Sequence, residues 1–562
     1  MPATDAPLVK WMFLHLLHGL SQSGYAMAGA NELLGDLDKL PQQQRKARML
    51  FGTGLLRQAL LLNPLDAGLR GLVGQLGAMA APSPAYAAWL KASAAVLGGQ
   101  PQVPANEAFG RAWDLPADPD AVLAECRASA VPGDVFACLM RLWEMGTWEH
   151  TAAGIAHFLA SPVAPAGAGV LAHAAHAAGD AALRDELLAK ALPCPLTMLL
   201  RARMAEAAED LSTARALYME ALDAEPALLF LVRHLAQMGR PEAPASVLEG
   251  RRIGVGFYTW NKLQVTLDTL ASLLDSDIGG AHVALINNGS TAFSRDEFEA
   301  GVRAVAAGRQ VELIQLPINI GAPAARNWLW HLDSMRDRDL FAFLDDDVLL
   351  PRTWLRSYVQ DMDEMPGTVV VGPQGVNPGS LPTVQYVARY FEKTGKHLIR
   401  FTNNAPLVMD FGQYGQRRPC LSVMGCCHLL DKAACARLGV PDFDLRFSPS
   451  QVDDLEHDIQ VWKAGGRVVY DGRVRVVHRQ DAGRAAPLSE ASWGHVWGNH
   501  YKMERKFTEQ ELADVDRATR AADVADLVAA YESVAAQLPS AARSYVGLCV
   551  RSLQAAAAGK VL

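Results

Sequence analysis

From Ile253 onward the chain alternates short β-branched or aromatic runs with stretches of helical spacing, a pattern that few folds accommodate. Ile253–Tyr258, His282–Ile286, Val311–Leu316 and Phe341–Leu344 read as strands. Between them, Lys262–Leu274, Phe293–Ala307 and Ala324–Leu332 carry apolar residues at helical intervals. This repetition predicts an α/β unit with a mainly parallel sheet covered on both faces. In such sheets ligands sit beyond the carboxyl ends of the strands, so polar residues there are the first candidates for a site.

Residues 1–247 are different: Ala and Leu dominate, spacing is helical, and an all-α region is expected. Gly52, Leu56, Ala59 and Pro64 recur with the same offsets as Ala214, Tyr218, Ala221 and Pro226. That spacing resembles the second helix of a tetratricopeptide-type repeat, with small residues where helices touch and a proline that stops the helix. Met198–Ala205 supplies a first helix for the later copy, while Pro82–Pro195 reads as helical without a clear repeat. Such an array is either a helical appendage or a concave face for a protein or polymer. Composition shifts at Gly250-Arg251-Arg252; Ala482–Leu488 reads as a linker and Trp493–Leu562 as helix. The expected division is therefore 1–247 as a TPR-like helical array, 250–482 as the α/β unit, and 483–562 as a C-terminal helical segment.

At 562 residues, half of them hydrophobic, the chain is long enough for two or three cores. A net charge of −8 argues against a nucleic-acid partner, which normally leaves a basic footprint. Eight cysteines lie scattered without a paired framework, as expected of reduced thiols in a cytoplasmic protein. Cys426-Cys427-His428 with Cys435 lacks the C-x-x-C spacing of a zinc site and predicts core packing. Trp11–Gly19 reads as a first amphipathic helix and not as a signal peptide. No run reaches the length of a membrane span, which leaves only peripheral membrane contact open.

Two acidic groups stand out. Asp345-Asp346-Asp347 follows the strand Phe341–Leu344 directly, and neighbouring carboxylates repel unless a cation or hydrogen-bond donors hold them. The second group is Asp453-Asp454-Leu455-Glu456-His457-Asp458, followed by a strand that ends at His478. Carboxylates plus a histidine at strand ends fit a divalent-cation site with a separate base. A lone strand-end histidine is equally at home in solvent, and acids at a helix start also complement its dipole.

Thr259-Trp-Asn261-Lys, Asn287-Asn-Gly-Ser-Thr291, Asn319-Ile-Gly321-Ala-Pro-Ala-Ala-Arg326-Asn327 and Asp345-Asp-Asp347, in that order, resemble the amino-terminal half of family 2 glycosyltransferases. Asp453-Asp454-Leu-Glu456 with Lys463-Ala-Gly-Gly466 resembles the acceptor-side acidic motif of that family. A branch resembling bacterial galactofuranosyltransferases has tryptophan before this motif, where this chain has Val452. The resemblance spans residues 250–482 and implies a GT-A fold.

It further implies a glycosyltransferase of the EC 2.4 class that moves a sugar from a nucleotide-diphosphate donor, most simply a UDP-sugar. The acceptor would be a hydroxyl of a glycan, a lipid-linked glycan or a protein. Mn²⁺ or Mg²⁺ is the implied cofactor, with Asp345, Asp347 and His478 as ligands of a DXD-type site. Thr259, Asn261, Asn287, Arg326, Asp345, Asp346 and Gly425 are the implied donor-binding residues; Asn287 stands where the family more often has aspartate. Arg326 fits either a phosphate partner or a helix-surface arginine. Asn319 and Gly321 shape a turn. Asp454 is the implied base, and Asp453, Glu456 and Trp493 are the implied acceptor contacts, with His457 and Asp458 structural. Trp493, Trp497 and Tyr501 share a helical face, a stripe more often buried in a core than stacked on a sugar. With one base and no opposed nucleophile, transfer would invert the anomeric carbon. The alternative is a TPR-type binding scaffold whose inactive GT-A domain only binds nucleotide sugar. A nucleotidyltransferase would need a Gly-rich phosphate loop after the first strand, but Gly254-Val-Gly256 lies inside it.

Overall fold

The computed structural model describes residues 6–20, 23–77, 80–101, 103–393, 399–401, 405–480 and 490–558. Helices fill the chain up to Gln237. Several pack as neighbouring pairs, among them Ser23–Leu34 with Gln42–Leu62 and Pro195–Ala207 with Leu211–Ala224. Gly52, Leu56 and Ala59, like Ala214, Tyr218 and Ala221, are buried on the second helix of such a pair. An added Cβ on Gly52 would come 3.1 Å from the Leu34 side chain, so the small residue sets how closely those helices approach. Pro64 and Pro226 fall just past the last helical residues, Leu62 and Ala224.

The sheet has strands β1 (Ile253–Thr259), β2 (His282–Asn287), β3 (Val311–Gln315), β4 (Leu340–Leu344), β5 (Val348–Leu349), β6 (Thr368–Val376), β7 (Val384–Tyr386), β10 (Arg417–Cys420), β11 (Cys427–Asp431) and β12 (Arg467–His478). A separate ribbon pairs β8 (Phe391–Lys393) with β9 (Ile399–Phe401). The main order is β10-β12-β6-β11-β4-β1-β2-β3. β3, β2, β1 and β4 run parallel, β11 lies antiparallel between β4 and β6, and β12 runs parallel to β6.

Alternation along the strands feeds two apolar layers. Ala284, Ile286, Phe341 and Phe343 face one, and Val283, Leu285, Ala342 and Leu344 the other. Gly254 and Gly256 in β1 make room for that packing: a Cβ would lie 2.6 Å from Met335 Sδ at the first and 2.8 Å from Phe341 Cζ at the second. This is the mainly parallel α/β sheet that the alternation predicts.

The helices Glu509–Val534 and Ser540–Ala558 fold back onto the helical array, where Leu527, Val534, Val546 and Leu553 join its apolar core. Asp523 is clasped by Arg233 of the array, 2.6 Å away, and by Arg418 of β10. Leu381, Leu407 and Phe411, from loops after β6 and before β10, enter the same core. Ala6–His18 is a helix whose Trp11, Met12 and Leu16 are buried, so it is a core helix. All eight cysteines are buried and unpaired. Ala482–Leu488 lies outside the described residues. No described helix is long and apolar enough to cross a membrane.

Candidate active site

Strand register brings distant residues to one rim. Phe257 of β1 pairs with Leu344 of β4, so the turn after Thr259 lies beside Asp345–Asp347. Cys427 of β11 also pairs with Leu344, and the Asp345 amide donates to the Cys426 carbonyl at 2.9 Å. His478 at the end of β12 pairs with Val348 of β5, and the Arg479 amide donates to the Asp347 carbonyl at 2.9 Å. The ends of β1, β4 and β12 and the start of β11 therefore converge.

His478 Nε2 lies 3.2 Å from Asp347 Oδ1 and 3.7 Å from Asp345 Oδ2. One ligand atom from each of the three lies within 4.8 Å of the others. Two carboxylate oxygens and an imidazole nitrogen suit a hard or borderline divalent ion, and among the described residues no other His, Cys, Asp and Glu group has this geometry. Asp346 takes a different partner: Lys262 Nζ donates to its Oδ1 at 3.0 Å and to Asp347 Oδ2 at 2.9 Å. Burial pushes Asp345 up to about 6, against the pull of Arg326 and His478. At Asp347 burial acts upward too, but His478 and Lys262 overcome it and hold the carboxyl below its usual range.

The helix Asp453–Lys463 carries the second acidic group, and Val452 before it has φ 60°. A β-branched residue in that region is strained, so packing must enforce this entry. Arg326 Nη1 donates to Asp453 Oδ2 at 2.6 Å, and its Nη2 stands 3.6 Å from Asp345 Oδ1. One buried guanidinium thus joins the two acidic groups, so Arg326 is not a helix-surface arginine. Asp454 Oδ2 accepts from the Gly425 amide at 2.9 Å and lies 3.1 Å from Arg389 Nη1. Burial raises the Asp454 pKa, but Arg389 and Arg326 overcome that and hold it ionised. Gly425 fits tightly here: a Cβ would come 2.8 Å from Asp454 Cβ.

Glu456 is fully buried and does not join this group; Lys506 Nζ donates to its Oε1 at 2.5 Å. His457 stacks on Phe443 with centroids 4.4 Å apart, and Asp458 accepts from the Val423 amide at 3.1 Å. On the β1–β2 side the polar side chains shape loops. Thr259 Oγ1 accepts from Thr266 at 2.7 Å, and Asn261 Oδ1 accepts from the Thr291 and Ala292 amides at 2.7 and 3.0 Å. Asn287 Oδ1 accepts from the Ser290 amide at 3.0 Å. Asn319 Oδ1 accepts from the Gly321 amide at 2.8 Å, which closes the turn.

Trp493 lies on the helix Glu490–Lys506, with its side chain outside the described residues. Trp497 and Tyr501 on that helix are 68% and 54% exposed, so these two members of the stripe are not core. Its opposite edge is anchored by Asn499 Nδ2, which donates to the Phe447 and Ser450 carbonyls at 2.8 and 2.7 Å.

Sequence reasoning missed Lys262 and Arg389 as neighbours of the acids and Gln385 as the partner of His478. Lys262 directly follows the motif residue Asn261, so its position was a usable signal. Arg389 and Gln385 lie in a stretch with no readable period.

Residues 255–430 match the family model described as glycosyl transferase family 2. With this match and the sheet above, the chain carries a family 2 glycosyltransferase domain of the GT-A type, flanked by helical regions. Among solved structures, GalNAc-T7 with UDP, GalNAc and Mn²⁺ is 12% identical, covering 50% of this chain and 54% of that one, with TM-score 0.37. The chain thus spans about half the length of that protein. The mannosyltransferase PcManGT from Pyrobaculum calidifontis, in complex with GDP-Man and Mn²⁺, is 13% identical, covering 64% and 97%, with TM-score 0.34. The comparison with curated proteins gives no match.

Proposed function

We propose that this protein is a metal-dependent, inverting glycosyltransferase. It would move a sugar from a nucleotide-diphosphate donor to a hydroxyl of a glycan, a lipid-linked glycan or a protein. The observation that carries the reading is the double engagement of Arg326, 2.6 Å from Asp453 and 3.6 Å from Asp345, which ties a cation-type acidic group to a second acidic pair.

In this reading Asp345, Asp347 and His478 hold Mn²⁺ or Mg²⁺. When bound, the ion supplies charge neutralisation for the departing diphosphate. Arg326 and Lys262 add fixed positive charge beside the same position. Thr259, Asn261 and Asn287 shape the pocket floor for the nucleoside, and Gly425 keeps the sugar side open. Asp454 accepts the proton of the attacking hydroxyl. A carboxylate held ionised by Arg389 is sufficient, because the hydroxyl acidifies as its bond to the anomeric carbon forms. The leaving diphosphate departs from the opposite face, so one displacement inverts the centre. Asp453 positions Arg326, and the exposed Trp497 and Tyr501 offer ring faces to the acceptor. The division at 247–250 and 482–483, a cytoplasmic setting and an acceptor held by the helical array belong to the same proposal.

Calorimetry of UDP and GDP with and without Mn²⁺, followed by turnover with a panel of nucleotide sugars, tests it. Mn²⁺-dependent binding and transfer to an acceptor are expected. Binding without turnover of any donor would favour the scaffold alternative, and no binding at all would sink the reading.

A further inference from the structure

β6 turns at Asn377 into a hairpin that returns as β7, and this hairpin carries a chain of buried amides toward His478. Gln385 Oε1 accepts from His478 Nδ1 at 2.9 Å. The orientation of that amide is set by its other end. Gln385 Nε2 donates to Asn377 Oδ1 at 2.8 Å and to the His478 carbonyl at 3.2 Å. The His478 carbonyl can only accept, so the nitrogen must face it and the oxygen must face the ring. Asn377 is held in place beside it: its Nδ2 donates to Thr383 Oγ1 at 2.9 Å and its backbone amide donates to the Thr383 carbonyl at 2.8 Å. Asn377, Thr383, Gln385 and His478 are all buried.

We infer that Gln385 is a positioning residue: it holds the proton of His478 on Nδ1 and aims the Nε2 lone pair at the gap between Asp345 and Asp347. An imidazole free to rotate or to switch tautomers would present N–H to a cation and repel it. A buried amide costs stability unless each polar atom has a partner, and here the Oε1 and Nε2 groups both have one. The helical array braces the far end of the same hairpin. The Leu381 amide donates to the Gly146 carbonyl at 3.2 Å, and the Trp148 amide donates to Ser380 Oγ at 2.9 Å. Leu381 itself is buried among the array's apolar side chains.

This role rests on reading Asp345, Asp347 and His478 as cation ligands, and the test separates the two claims. Mn²⁺ is titrated into the full-length protein and followed by the electron paramagnetic resonance signal of the free ion. Wild type is compared with Gln385→Met and Gln385→Glu, each first checked for an unchanged melting profile without Mn²⁺. Gln385→Met removes the acceptor at nearly constant volume and should weaken Mn²⁺ binding by about tenfold or more. Gln385→Glu keeps an acceptor on Nδ1, and Asn377 can turn its amide toward the second oxygen because the Thr383 hydroxyl also donates, although that oxygen loses the bond to the His478 carbonyl. That variant should bind Mn²⁺ clearly more tightly than Gln385→Met.

Unchanged affinity in Gln385→Met, or an equal loss in both variants, would overturn the role of Gln385. Absence of Mn²⁺ binding by the wild type would instead sink the metal reading itself. If Gln385→Met fails to fold, ¹⁵N spectra of histidine-labelled wild type with Mg²⁺ decide. A protonated Nδ1 on His478 supports the assignment, and an unprotonated one refutes it.

Discussion

Arg389 Nη1 stands 3.1 Å from Asp454 Oδ2, and both side chains are buried at the start of the helix Asp453–Lys463. The pair keeps a carboxylate ionised without solvent, a demanding arrangement unless the charge is used. Asp454→Asn retains the volume and an acceptor for the Gly425 amide and Arg389 but removes the counter-charge, so the variant should fold with some loss of stability, checked by its melting profile. Loss of general-base assistance predicts a fall in kcat of about 10²–10⁴-fold, measured with the best donor of the panel. Turnover near the wild-type level would show that the base lies elsewhere.

Removing the cation has the opposite electrostatic sign. In Arg389→Met, Asp454 loses its nearest positive charge and its pKa rises. The acid limb of the pH–rate profile should then move to higher pH, while Arg389→Lys should restore part of the difference. A profile whose acid limb does not move in Arg389→Met would break the link between the two residues.

Asp347 meets His478, whereas Asp346 points at Lys262 and not at the histidine. Asp347→Asn should therefore weaken Mn²⁺ binding more than Asp346→Asn does, in the same titration used for Gln385. Chelation followed by readdition of Mn²⁺ should abolish and restore transfer. Equal loss in both asparagine variants would argue for a different ligand set.

Asp458 gives a stability prediction. Burial, reinforced by Asp454, raises its carboxyl from 3.8 to about 8, against the opposing hydrogen bonds from Ser422 and Val423 and the charge of Arg389. In the unfolded chain the group loses its proton near its ordinary pKa, while the folded protein keeps it. The folded state therefore binds more protons across that window, and stability falls as pH rises from about 4 toward 8. Asp458→Asn removes the titration and can still accept from the Val423 amide. Its melting temperature should gain on wild type progressively between pH 5 and pH 8, and a constant difference would refute the account.

The two copies of the helical spacing meet in a charge pair. Arg57 Nε donates to Glu225 Oε2 at 2.6 Å and Nη2 donates to Oε1 at 3.1 Å, with both side chains buried. Glu225→Ala leaves the guanidinium buried and unpaired and should cost about 3–5 kcal/mol in denaturant unfolding. Replacing both by apolar residues, Arg57→Met with Glu225→Leu, should recover most of that loss. A loss below about 1 kcal/mol in Glu225→Ala would show that water reaches the site.

Local pattern alone made the α/β alternation legible, along with the Asp345–Asp347 run at the end of β4 and the helical character of the amino-terminal region. Each depends on periodicity and propensity within a few residues, which a linear sequence records directly. Burial of Arg326 between Asp345 and Asp453 was not legible, nor was the capture of Glu456 by Lys506, the amide chain through Gln385, or the exposure of Trp497 and Tyr501. Those depend on which strands lie side by side and on how the C-terminal helices fold back over the array. A side chain's charge state and partners follow from its neighbours in space, and here those neighbours come from strand register and helix packing across more than a hundred residues of chain.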